Sequence, residues 1–189
     1  ERTRVVAKRI TEYLKSTDRM ARTIVFCVDT EHALRMRNAI AEENKDMMQV
    51  NPNYVVRITS NDVVGKAKLD DFIDSNTIYP VIATTSKLLS TGVDTKTVKL
   101  IVLDEEIQSM TEFKQIIGRG TRLLTNKGKE FFTIMDFRNN TEKFADPSFN
   151  GPAEVVLNVD GGNVTDIKTA HDFGVDNPII QIPISGEVE

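Results

Sequence analysis

The sequence has 189 residues, 40% of them apolar and 28% charged, which suits one domain with an extension, and its one cysteine, Cys27, excludes a disulfide framework and paired-thiol redox chemistry. No apolar run approaches the roughly 18–20 residues that cross a bilayer, and Glu1-Arg2-Thr3-Arg4 is unlike a secretory leader, so the expectation is a cytoplasmic protein with no membrane partner. The net charge of −4 is uneven: residues 1–144 hold 23 Lys and Arg against 20 Asp and Glu, while residues 145–189 hold one Lys against eight acids.

Residues 4–15 place Val5, Val6, Ile10, Tyr13 and Leu14 on one side of a helix. Thr23-Ile24-Val25-Phe26-Cys27-Val28 is a short unalternated apolar run, as expected of a strand covered on both faces. Asp29 or Thr30 caps the next helix, which runs to about residue 43 with Ala33, Met36 and Ile40 inward. Residues 54–59 read as a strand, 66–73 as a helix, 80–84 and 99–103 as strands, then a helix from about residue 110 and a strand over 131–135. Alternation with short connections predicts a parallel three-layer α/β sandwich with right-handed crossovers, whose ligands sit beyond the carboxyl ends of the strands. After Asp146, Pro147, Gly151, Pro152, Gly161, Gly162, Gly174, Pro178 and Pro183 break every long element. The division is therefore residues 1–145 as the body and 146–189 as an acidic, irregular C-terminal extension, the possible start of a following domain, with short strands near 154–159 and 179–184. The start at Glu suggests a piece of a longer chain.

Chemistry concentrates in the segment from Ser109 to Arg122. Ser109 and Glu112 form a capping box, so a helix begins there. At 100° per residue Gln115, Arg119 and Arg122 share one stripe, with Phe113, Ile116, Ile117 and Gly120 opposite. Guanidinium is permanently charged and presents a planar fork of donors, which suits phosphate oxygens. Gly118 and Gly120 each cost about 1 kcal/mol inside a helix relative to Ala, a cost easier to understand where bulk must be kept from a close approach. From Phe113 to Lys129 the chain carries Lys114, Arg119, Arg122, Lys127 and Lys129 with no acid.

Gln115-Ile116-Ile117-Gly118-Arg119-Gly120-Thr121-Arg122 resembles motif VI of superfamily 2 helicases and translocases, on the second of their two RecA-like lobes. Residues 83–94, Ala-Thr-Thr-Ser-Lys-Leu-Leu-Ser-Thr-Gly-Val-Asp, resemble motif V, and Ile24-Val25-Phe26-Cys27 resembles motif IV. The wording of residues 88–94 and 109–120, with Asp136-Phe137-Arg138, is closest to the motor (R) subunit of type I restriction enzymes.

That resemblance implies a RecA-like lobe over residues 1–145 that works against a first lobe elsewhere in the parent protein, the first lobe holding ATP and Mg2+. Arg119 and Arg122 would act as arginine fingers on the γ-phosphate. Gln115 and Gly118 belong to the same motif, Gln115 sensing the nucleotide, and Gly92 with Asp94 would join the nucleotide-facing part to the nucleic-acid track. Thr59, Ser60, Thr84 and Thr85, at predicted strand ends, would grip phosphates of duplex DNA without reading sequence; which of Thr84, Thr85 and Ser86 fills the motif V threonine position stays open. Methyltransferase and specificity subunits are the implied partners. The sequence contains no Gly-x-x-x-x-Gly-Lys-[Ser/Thr] phosphate loop, so hydrolysis by this chain alone is not expected. Leu103-Asp104-Glu105-Glu106 superficially resembles a magnesium-binding strand end and is read as structural or partner-facing; His32 and His171 suggest no metal site. Two alternatives stand beside this reading. One is a strand-separating RNA or DNA helicase lobe. The other is a non-catalytic receiver-like module with Asp29 and Asp104 in an acidic pocket.

Overall fold

The computed structural model describes residues 1–60, 63–86, 97–119 and 131–144, with two strand segments at 155–157 and 179–183. Helix α1 (Arg2–Ser16) leads to strand β1 (Thr23–Cys27), followed by α2 (Thr30–Glu43), α3 (Lys45–Val50) and β2 (Val55–Arg57). Then come α4 (Val63–Ala67), α5 (Leu69–Ile73), β3 (Ile82–Thr85), β4 (Leu100–Asp104), α6 (Met110–Ile117), β5 (Phe131–Asp136), α7 (Asn140–Lys143), β6 (Val155–Leu157) and β7 (Ile179–Pro183). The single helix expected over 66–73 is two short ones meeting at Lys68, and α3 and α7 are additions that periodicity does not reveal in runs of six and four residues.

The strands lie in the order β2-β3-β1-β4-β5-β7-β6. The first five are parallel, with Cys27 beside Asp104 and Leu103 beside Asp136 at their carboxyl ends. β7 pairs antiparallel with β5, from Phe131 opposite Pro183 to Met135 opposite Ile179, and β6 continues outward from β7.

Both faces of the parallel sheet are covered, which is why its strands show no polar alternation. Val25 and Cys27 of β1 point to one face, where they meet Val6, Ile10 and Leu14 of α1 and Ala33, Met36 and Ile40 of α2. Ile24 and Phe26 point to the other, against Phe72 of α5 and Phe113, Ile116 and Ile117 of α6. The step from β1 to β2 runs one way across the sheet with α2 on the first face. The steps from β2 to β3 and from β4 to β5 run the opposite way, with α5 and α6 on the second, as right-handed crossovers require. β1 therefore leaves the sheet toward one face while its neighbour β4 leaves toward the other, which opens a crevice at their carboxyl ends.

Polar contacts fasten the layers. Tyr13 of α1 and Thr133 of β5 share a buried hydroxyl–hydroxyl hydrogen bond of 2.9 Å. Buried Asn44 donates to Thr11 Oγ1 and to the carbonyl of Ile40, both at 2.8 Å, tying α1 to the end of α2. At the amino edge the buried Arg22 stacks on Phe72 and donates to the carbonyls of Phe72, Asp74 and Thr77, so its desolvated charge is spread over backbone dipoles; burial pulls its pKa down.

Candidate nucleotide and nucleic-acid site

Helix α6 starts as its sequence dictates. Ser109 Oγ accepts from the N–H of Glu112 at 3.1 Å, and Glu112 Oε2 accepts in return from the N–H of Gln108, one residue before the cap. Phe113, Ile116 and Ile117 are buried and Gln115 is exposed, as the wheel predicts. The regular helix ends at Ile117. Gly118 remains right-handed, its N–H bonded to the carbonyl of Lys114, and the N–H of Arg119 turns to Ile116 at 3.0 Å, a tightened last turn. A Cβ on Gly118 would stand 3.1 Å from the Lys114 carbonyl oxygen, so the close approach that favours glycine here is to the helix's own backbone. Arg119 is half-buried in this turn. Arg122, Gly92 and Asp94 lie outside the described residues.

At about 1.5 Å per residue, eight helical residues carry the chain roughly 12 Å back along the sheet, because a crossover helix runs antiparallel to its strands. The predicted site residues thus fall into two groups: Gly118 and Arg119 at the far end of α6, and the hydroxyls at the carboxyl ends of β2 and β3.

The hydroxyls differ. Thr84 is fully buried and donates to the carbonyl of Ala33 in α2 at 2.8 Å, so it is committed to the interior. Thr85, the next residue, turns to the opposite face, where its Oγ1 is buried with no hydrogen-bond partner among the described residues. Thr59 is buried and Ser60 exposed just beyond β2, whose ladder continues one step through the N–H of Ile58 to the carbonyl of Thr84.

Sequence reasoning missed a cluster at the end of β4. Asp104 is fully buried, and its Oδ1 accepts from Arg2 Nε and from Arg138 Nε, each at 3.2 Å. His32 Nε2 stands 3.2 Å from Oδ2, off the line of a good hydrogen bond, while His32 Nδ1 accepts from the N–H of Val28. Burial alone would raise the Asp104 pKa. The contact with His32 and the charges of Arg138 and Arg2 outweigh it and hold the carboxyl below its ordinary value. Asp136, also buried, accepts from the N–H groups of Arg138 and Thr141 and from Asn140 Nδ2; Asn140 in turn accepts from the N–H of Ile107 and donates to the carbonyl of Glu105. Asp29 caps α2 through the N–H of His32. With Asp29 spent on a cap and Asp104 on ion pairs, the open acidic pocket of the receiver-like alternative is not formed. Only the Asp104-Glu105 pair was visible in the sequence; its arginine partners come from positions 2 and 138, which no local spacing connects.

Among the described residues no group of three or more His, Cys, Asp or Glu is placed to hold a metal ion, and no helix is long and apolar enough to cross a membrane. Cys27 is buried, and desolvation pushes its thiol pKa far up.

No family model matches the chain. It is 54% identical over 166 residues to the endonuclease subunit of the type I restriction enzyme EcoAI of Escherichia coli, covering 88% of this chain and 20% of that protein. A solved fragment of an HsdR subunit of a type I restriction enzyme from Vibrio vulnificus superposes with a TM-score of 0.76 at 50% identity, over 79% of this chain and 30% of that one. The Mycobacterium smegmatis helicase Lhr, solved with single-stranded DNA and AMP-PNP, gives a TM-score of 0.50 at 20% identity over 60% of this chain and 14% of that one, a likeness of fold alone. The α/β sandwich is thus RecA-like, and the chain spans about a fifth of the curated relative.

Proposed function

This chain is a homologue of one segment of the type I restriction enzyme endonuclease (HsdR) subunits, and from that premise we propose that it is the second RecA-like lobe of an ATP-driven DNA translocase. What supports this most is the coincidence of the 54% identity with a Ser109-capped helix that buries Phe113, Ile116 and Ile117 and delivers Arg119 at its end. In this reading ATP with Mg2+ binds mainly on a first lobe outside these residues and supplies the energy of each step. Arg119 and Arg122 approach the γ-phosphate when the lobes close, offering permanent positive charge to the oxygens as negative charge redistributes. A guanidinium held in a tightened helix end, backed by a packed core, is positioned before the ligand arrives and loses little entropy on meeting it. Gln115 belongs to the same surface, and Gly92 with Asp94 would link it to the DNA track.

DNA would be held through its backbone at the carboxyl edge. Thr85 is the favoured hydroxyl because its Oγ1 lacks a partner among the described residues, a cost that a phosphate oxygen would remove, whereas Thr84 is already satisfied. Thr59 and Ser60 flank the same edge. Duplex DNA, the first lobe and the methyltransferase and specificity subunits are the proposed partners, with the nuclease elsewhere in the parent chain.

The test is made on the full parent protein. Arg119→Ala or Arg122→Ala should lower DNA-stimulated ATP hydrolysis by about 10³–10⁵ in kcat with ATP affinity nearly unchanged. A variant that loses affinity and keeps its turnover would make these arginines plain binding groups and refute the finger role.

A further inference from the structure

The carboxyl edge holds two cations that the motor reading above does not use, Arg2 and Arg138. Arg138 lies two residues beyond the end of β5, and its Nε is fixed on Asp104 Oδ1. Arg2 reaches the same oxygen through its own Nε and sends Nη2 to the carbonyl of Phe137 at 2.7 Å. Charge balance for a buried carboxylate needs one guanidinium. A second on the same oxygen is crowded against like charge, so Asp104 does not neutralise both. Among the described residues no other acid touches Arg138: Asp136 meets its backbone N–H only, and Glu106 is held by Lys143.

The geometry of Arg138 is that of a ligand group. Arg138 keeps 33% of its side-chain surface open, and neither of its terminal Nη groups has a hydrogen-bond partner among the described residues. Anchoring through Nε fixes the guanidinium plane and leaves the Nη atoms as a presented fork, the arrangement that meets two oxygens of one phosphate. Its location agrees. Asp104 ends β4 beside Cys27 of β1, at the crevice where β1 and β4 leave the sheet toward opposite faces, and Thr85 ends β3 on the other side of β1.

We propose that Arg138, clamped through Nε by Asp104, is a phosphate-binding residue at the carboxyl edge of the sheet, and that its ligand is a backbone phosphodiester of the DNA. This rests on the DNA-motor reading and adds a contact to it. Asp104 is then a positioning residue, with Arg2 sharing the load of its charge.

The experiment measures the affinity of the full parent protein for a defined duplex across a salt series, with a parallel titration of a fluorescent ATP analogue. Arg138→Ala should bind DNA about tenfold more weakly at low salt. The slope of log affinity against log salt should fall by about 0.9, the loss of one phosphate contact. Arg138→Lys keeps a charge that can still pair with Asp104, so it should retain the slope and lose part of the affinity; this variant carries the test if Arg138→Ala does not melt cooperatively. Nucleotide affinity should be unchanged in both. Wild-type slope and affinity in both variants would overturn the assignment, as would a nucleotide defect with intact DNA binding, which would make the ligand a nucleotide phosphate. If the wild-type protein itself does not bind duplex, the motor reading fails at that control, before either variant is compared.

Discussion

Replacing Asp104 by Asn keeps the size of a fully buried side chain and removes its charge. Breaking a buried ion pair by removing one partner costs about 3–5 kcal/mol when the other charge is trapped. Here the side chains of Arg2 and Arg138 are 52% and 33% exposed, so both guanidiniums can turn to water. The loss should therefore fall at or below the bottom of that range, about 2–3 kcal/mol, or roughly 5–10 °C in melting temperature for a chain of this length. Thermal and urea unfolding followed by circular dichroism at pH 7 would measure it. The pH dependence supplies an independent sign. The folded Asp104 carboxyl lies below its ordinary value, so its contribution is fully present above an unfolded pKa of about 3.9 and is lost as pH falls through the folded value. The gap between wild type and Asp104→Asn should close on acidification below about pH 4. Superimposed melts at pH 7, or a gap that widens in acid, would refute the buried-cluster argument.

Thr84→Val removes a satisfied core hydroxyl and should cost about 1 kcal/mol of stability; Thr85→Val replaces one with no partner among the described residues and should cost none. In the parent protein only the Thr85 change should weaken DNA binding, and filter-binding titrations of both variants would check this. Cys27, buried with its thiol pKa raised, should resist alkylation at pH 8 in the folded chain and react once urea unfolds it, as mass spectrometry would record; rapid labelling of the native chain would contradict its burial. Removing residues 161–189 takes away β7 and strips β5 of its antiparallel partner. The shortened chain should still melt cooperatively, on its five parallel strands and two-sided core, but at a lower temperature in a calorimeter; an unchanged melting temperature would mean that β7 adds nothing to the sheet.

Much of the architecture was legible because its signals are local. Ile24 to Cys27 are apolar without interruption since the two faces of β1 meet different helices, and the first turn of α6 is spelled by Ser109 and Glu112. The stripe from Gln115 to Arg119 was legible only in part. Spacing assumes a continuous helix, while the turn at Gly118 and Arg119 tightens as soon as the carbonyls of α6 run out of partners. The two threonines ending β3 were indistinguishable in sequence. The pleat alone sends Thr84 toward Ala33 and Thr85 to the other face.

The order of residues along the chain determined the parallel α/β class and the motif segments, because strand and helix periods and caps act over a few positions. Tertiary structure decided what those residues are worth. It buried Asp104 and brought Arg2, His32 and Arg138 to it from three other stretches of the chain, and it brought β7 onto β5, some fifty residues away in sequence. Charge and hydrogen bonding depend on distance through space and on the water excluded in between, and neither quantity is written in the spacing of letters along a chain.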